Sequence, residues 1–315
     1  MKRVLTILII FLFQVAASDA QPPEKGYYNS LQDALKNPGE VEYLNLSSSG
    51  LYAIPPEIIQ FKNLKKLDIG DNQIKNLPAY VGELKQLQYL RIDNNPITEF
   101  PAVLTGLVNL ESLLAKGIDI INLPGEIGQM KNLLFLDLEG NQIKKIPEEI
   151  SNLQELRILN LSFNKLSKLP TGMGRLKNLH TLRVISNQLE DLPAEMESMA
   201  QLQTVQLAMN RFEKIPAVIY KMKQLKKLGV EFNRIKKLEE KIGDLKNLEQ
   251  LNIGNNQFGE IPVEKLRKLK KLKSITIGGN RFSRIYVEKL QKTFRERLLQ
   301  NTERKPESNL LRRGL

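Results

Sequence analysis

The 315-residue sequence contains no cysteine, no tryptophan and only one histidine, His180. Without cysteine there can be no disulfide framework, thiolate metal site, iron–sulfur cluster or thiol nucleophile. A single imidazole rules out any metal centre that needs two or more histidine ligands. Aromatic residues are scarce, at 6%, and no glycine-rich loop is followed by the Lys and Ser or Thr that cradle a phosphate. What remains is 41% hydrophobic and 26% charged residues, the composition of a globular chain with a substantial core rather than a disordered or collagen-like one. Acidic residues are in deficit, 35 against 47 Lys and Arg, and the net charge of +12 favours acidic partners without naming one.

Long apolar runs are missing everywhere except at the start. Lys2 and Arg3 precede a run from Val4 to Val15, interrupted by Thr6 and Gln14, and Ser18-Asp19-Ala20 places small residues at minus three and minus one of a cleavage point. This predicts a signal peptide over 1–20, and the run is short for a bilayer span. The expectation is a protein secreted or held in the periplasm or cell envelope, with no membrane span after cleavage.

The strongest signal is self-similarity with a period of 23 residues. Ten repeats start at Val41, Leu64, Leu87, Leu110, Leu133, Leu156, Leu179, Leu202, Leu225 and Leu248, and an eleventh starts at Leu272 after one inserted residue. The second repeat shows the pattern: Leu64, Leu67, Ile69, Asn72, Ile74, Leu77, Pro78, Val81, Leu84. Apolar residues at the fourth and sixth positions flank one outward residue, the period-two mark of a short strand with one buried face. The Leu-Pro step and the apolar spacing after it predict a 3₁₀ or helical turn with its inner face apolar. One repeat cannot bury these side chains, whereas stacked repeats share a continuous core, so the strands should form a parallel sheet.

The pattern LxxLxLxxNxL followed by LPxxI resembles the leucine-rich repeat family in its bacterial 23-residue type, from Val41 to about Leu290. The fold class this implies is α/β: a curved solenoid with a concave parallel sheet of about eleven strands, short 3₁₀ turns on the convex side and helical caps. Eleven strands would make a concave face on the order of 50 Å long. The expected division is a signal peptide over 1–20, an N-terminal cap over 21–40, the solenoid over 41–286, a capping helix over 287–300 and a basic tail over 301–315. In the front cap, Ser30 precedes Leu31, Ala34 and Leu35 as a short capped helix; in the back cap, Val287, Leu290, Phe294 and Leu298 share one helical face. The recurrent Asn at position nine is expected to form a ladder of amides, broken in repeat four, where Ile118 takes its place.

Family architecture implies that a protein ligand meets the concave face, whose outward positions are three, five, seven and eight. These positions supply an apolar band of Tyr89, Leu114, Phe135, Ile158, Phe163, Ile185, Met209 and Phe232, edged by Asp68, Arg91, Asp93, Asp137, Glu139, Arg183 and Glu231. Aromatics ringed by polar groups suit a protein interface, so Phe135 and Phe163 are expected to form one apolar centre beside Ile158, with Arg91 and Arg183 left to pair with a partner's acidic groups. A second column, Lys62, Lys85, Lys131, Lys177, Lys223, Lys246 and Lys270, lies just before the repeat junctions and could meet an acidic polymer of the envelope or a host, glycan or lipid headgroup. No aromatics interleave with it to stack bases, so no nucleic-acid partner is expected. Asp68, Asp71 and Asp93 fall on adjacent strands, where they could hold a cation. No cofactor, structural metal or catalytic constellation is indicated, and the chain reads as a non-enzymatic interaction module.

Overall fold

The computed structural model describes residues 25–294 and the backbone of Leu299 and Gln300. The signal peptide and the basic tail lie outside the described residues, as does Leu298. Strands β2 (Tyr43–Asn45) to β12 (Ser274–Thr276) supply one three-residue strand per repeat, among them β3 (Lys66–Asp68), β4 (Tyr89–Arg91), β5 (Ser112–Leu114), β6 (Phe135–Asp137), β7 (Ile158–Asn160), β8 (Thr181–Arg183), β9 (Thr204–Gln206), β10 (Lys227–Gly229) and β11 (Gln250–Asn252). Each pairs in parallel with the next in strict sequence order. The register carries equivalent positions side by side, so Tyr43, Lys66, Tyr89, Ser112, Phe135 and Ile158 form one row across the sheet. Two further strands extend the eleven expected: β1 (Tyr27–Tyr28) pairs with β2, and β13 (Leu299–Gln300) pairs with β12.

On the convex side, five-residue 3₁₀ turns follow the step to proline in repeats one to eight, with Leu, Ile or Phe before the proline. The proline stands just before the turn with an extended backbone and its carbonyl accepts the first bond, as from Val81 N–H to Pro78 O at 3.0 Å. Proline fits because it needs no donor there and its fixed φ suits that backbone. In repeat nine Glu239 replaces it without loss of the turn, and the N–H that proline would lack donates to Tyr220 Oη at 3.3 Å. In repeat ten, which carries the inserted residue, the five-residue turn is the α-helix α2 (Val263–Arg267) in place of a 3₁₀ turn, α1 being the single capped turn Leu31–Ala34 at the front. The position-four and position-six side chains, the leucines opening each repeat and the inner face of each turn form one continuous buried core from Ala34 to Phe294.

Both ends carry local structure where sheet and core would otherwise be open. Ser30 Oγ accepts from Asp33 N–H at 3.4 Å at the start of α1. The back helix α3 runs over Arg284–Thr293, earlier than the 287–300 expected from the apolar spacing. Ser283 Oγ accepts from Tyr286 N–H and sets its start, a capping signal that the apolar spacing does not register. Leu290 and Phe294 are buried as expected, while Tyr286 exchanges hydrogen bonds with the backbone of Ile261 through its hydroxyl and stacks on Phe282.

Candidate functional site

The concave face is built on two kinds of asparagine rung. At position nine the amide Nδ2 donates to carbonyls of its own and the preceding repeat, as Asn164 does to Leu161 and Leu138, and its Oδ1 accepts from the preceding repeat's backbone, here Ile143 N–H. A second column, not among the expectations drawn from the sequence, stands at the other end of five strands. There Asn63, Asn109, Asn132, Asn178 and Asn247 donate to a carbonyl one repeat back, as Asn132 does to Val108 O at 2.7 Å. The signal for it was the recurring Asn immediately before the leading Leu. Strands β3, β6, β8 and β11 have a rung at both ends, which fixes the path from which their outward side chains leave.

Position eight has a left-handed backbone in all eleven repeats, with φ between 50° and 69°. Glycine, Asn, Asp or Ser occupies it in eight of them, the residues that tolerate this region. Phe163, Met209 and Phe232 occupy the other three, where a bulky side chain is strained by about 1 kcal/mol or more. Met209 and Phe232 remain 40% exposed, and Phe163 and Ile185 are half-buried. These four form an apolar ridge at the C-terminal ends of the strands in repeats six to nine.

The rest of the expected band sits elsewhere. Phe135 and Leu114 are buried, at 4% and 1% exposure, and so cannot present contact area as exposed anchors. Phe135 opens β6, whereas Phe163 lies three residues past β7, so the two stand at opposite ends of the strands and form no single centre. The cause is crowding on the inner face of the curve, where neighbouring strands lie only about 4.8 Å apart. Ser112, itself buried, stands in register between half-buried Tyr89 and Phe135, and its Oγ has no partner. Ile158 continues that row, half-buried.

Arg91 is already engaged. Its guanidinium pairs with Asp93 at 2.8 Å, Asp71 at 2.6 Å and Asp68 at 3.2 Å, so the cation those three aspartates hold is this chain's own arginine, and Arg91 is not left over for a partner's acidic group. Burial pushes the Asp71 carboxyl up, but hydrogen bonds from Asn94 and Arg91 overcome it and hold it below the ordinary value. For the deeper Asp93 burial wins and the carboxyl is raised. Asp137 lies at the centre of the face. Burial pushes it up to about 6, against the hydrogen bond from Glu139 N–H and with the help of the Glu139 and Asp93 carboxylates. Glu139 itself pairs with Lys116 at 2.6 Å and accepts from Asn160. Arg183 is half-buried on β8. Among the described residues no group of three or more His, Cys, Asp or Glu could hold a metal ion.

All seven lysines of the expected edge column are exposed. Several are tied down, however: Lys85 donates to Gly106 O, Lys177 to Ser198 O, Lys223 to Tyr220 O and Lys246 to Gly243 O, closing the ends of 3₁₀ turns. No helix among the described residues is long and apolar enough to cross a membrane.

Comparison with known proteins places this geometry. The model of the leucine-rich repeat region matches residues 29–119, 107–190 and 185–303. An internalin of Listeria monocytogenes, inlF, is 21% identical over 88% of this chain and 85% of its own, with a TM-score of 0.67. A TDR receptor is 24% identical over 85% of this chain, with a TM-score of 0.70, and the plant peptide hormone receptor RGFR1, solved in complex with RGF2, is 26% identical over 79%, with a TM-score of 0.61. This chain spans only about half of those two receptor chains, 52% and 45%. Among curated proteins, none matches the sequence. With the repeat model matched along almost the whole described length and every strand in its expected register, the chain belongs to the leucine-rich repeat family.

Proposed function

We propose that this protein is a non-enzymatic, exported interaction module that binds a protein ligand on its concave face. The observation that carries the reading is the ridge of Phe163, Met209 and Phe232. Three bulky apolar side chains are kept partly exposed in a left-handed backbone where their own strain argues against them, a combination that packing alone does not call for. Similarity to a receptor solved with a peptide hormone supports a protein or peptide ligand. The amino-terminal basic-apolar-small pattern supports export from a bacterial cell.

The test is affinity capture by the full chain from secreted and envelope fractions, followed by mass spectrometry, with a Phe163→Asn, Met209→Asn, Phe232→Asn variant alongside. Asn already occupies position eight in repeats three and ten, so the variant should stay folded. A partner held by the parent and lost by at least about 30-fold from the variant supports the reading, since anchors of this kind carry roughly 2 kcal/mol or more of binding. A partner that binds both equally, but is released by salt and by a Lys131→Gln, Lys177→Gln, Lys223→Gln variant, would move the site to the lysine edge and its acidic polymers.

A further inference from the structure

One place on the concave face brings two side-chain oxygens together over a glycine, one of them an acceptor that has no donor. Gly229 closes β10 with no side chain of its own, which leaves room for the side chains of Gln206 and Glu231 to lean over it. A Cβ at this position would collide with Gln206 Oε1 and come within 2.9 Å of Glu231 Oε2. Gln206 stands in register with Gly229 on the neighbouring strand, and Glu231 follows two residues along on the same face, so two oxygen acceptors converge above one glycine. Glu231 Oε2 is buried with no hydrogen-bond partner. A half-buried carboxylate with an orphaned oxygen is costly, and a donor brought by a ligand would relieve it. Burial accordingly raises the Glu231 carboxyl above its usual range. Beside this cradle stand Met209 and Phe232, the two most exposed members of the apolar ridge.

We propose that the partner inserts a basic side chain, Arg or Lys, over Gly229 between Glu231 and Gln206, with an adjoining apolar residue of the partner packed on Met209 and Phe232. This rests on the concave-face reading above. Charge complementarity fixes the occupant: the acceptors are an anion and an amide oxygen, and the exposed Phe232 ring can stack on a guanidinium or cover an ammonium stem. Although the chain as a whole is basic, the local demand at this point is for a cation.

The probe is a combinatorial library of synthetic peptides, selected on the full chain; selected peptides are then measured by fluorescence anisotropy against the parent, E231Q, G229A and a Met209→Asn, Phe232→Asn variant. The expected result is enrichment of Arg or Lys within two residues of an apolar residue, with binding weakened tenfold or more by E231Q and by G229A at unchanged urea midpoints. Should the Met209/Phe232 variant abolish binding while E231Q stays within twofold of the parent, or should selected peptides lack basic residues, the cradle is overturned and the concave reading stands. Peptides that bind every variant equally, or no enrichment at all, would overturn both. A Phe232-dependent dimer in sedimentation would assign the face to a second copy of the chain. A tenfold gain in peptide affinity on removing residues 301–315 would assign it to this chain's own Leu310-Leu311-Arg312-Arg313 run. Either result overturns an external partner.

Discussion

Asp137 shows how a single residue costs stability on the concave face. Its carboxyl is held up to about 6 in the folded chain, against an ordinary value of 3.8. Between those two values the folded state binds more protons than the unfolded one, so this group's contribution to stability falls as pH rises through that window and stays unfavourable above it. Asn45, Asn160 and Asn252 stand at the same position of other repeats and accept the same turn bond from the residue two ahead, so Asp137→Asn keeps the geometry without the charge. At pH 8 the variant should be more stable by about 1–3 kcal/mol in urea unfolding, and the gain should vanish below about pH 4. The charged groups around it are Glu139, Asp93 and Lys116, so a variant of any of these should move the same window. Arg91→Met should act in the opposite direction. It leaves Asp68, Asp71 and Asp93 together without their countercharge, for a loss of about 2–4 kcal/mol at neutral pH that shrinks as the carboxylates protonate.

At the scale of the repeat, the asparagine rung decides the path of the loop after each strand. Where it is missing, in repeat one with Ser49 and in repeat four with Ile118, a second left-handed residue follows two positions after the first: Gly50 in the former and Asp119 in the latter. In repeat four Ile118 is fully buried, and Ile97 N–H, which a rung there would have satisfied, bonds instead to its neighbour Asn95 O at 2.8 Å. The expected break in the ladder is therefore present, and backbone fills it. Asn164→Ala should lose about 2–4 kcal/mol, because several backbone groups lose their partner. Ile118→Asn should also destabilise, because the loop path there has already diverged and the amide would replace a core side chain. On the convex side, Gly174 lies so close to the next turn that a Cβ would overlap the Glu195 carbonyl, whereas at Gly106 nothing comes nearer than 3.6 Å. Gly174→Ala should cost about 2 kcal/mol or more, and Gly106→Ala about zero, both readable from thermal melts.

For the whole molecule, stability is close to a sum over neighbours, so the ends matter more than their size suggests. Truncation at Phe282 removes α3 with Leu290 and Phe294 and uncovers the core around Ile275 and Ile277. Hydrogen exchange should then show lost protection in repeats ten and eleven first, while repeats two to six keep theirs. Charge is also distributed by scale. Seven lysines line an exposed edge, where several donate to turn carbonyls, whereas the concave face carries Asp68, Asp71, Asp93, Asp137 and Glu139 in repeats two, three and five. Net charge therefore points toward acidic partners, and the local site at Glu231 points toward a basic one.

Period, strand placement, the Leu-Pro turn, the position-nine asparagine rungs and the irregular fourth repeat were all legible in the sequence, because each depends on contacts between equivalent positions of adjacent copies. So was the list of outward-facing positions. Which of those residues remain available could not be read from it. Phe135 and Phe163 look alike in the sequence, yet the inner face of the curve buries one in a crowded row, and the left-handed loop holds the other out at the far end of its strand. Arg91 looks like a free cation until neighbouring strands bring three carboxylates to it, and Glu231 looks like any surface acid until Gly229 lets its oxygen lie buried beside that of Gln206. A repeated pattern determines where each side chain starts and which face it leaves from. Only the packed curve decides what it meets there, since burial and pairing depend on side chains a full repeat away, whose identities vary independently from copy to copy.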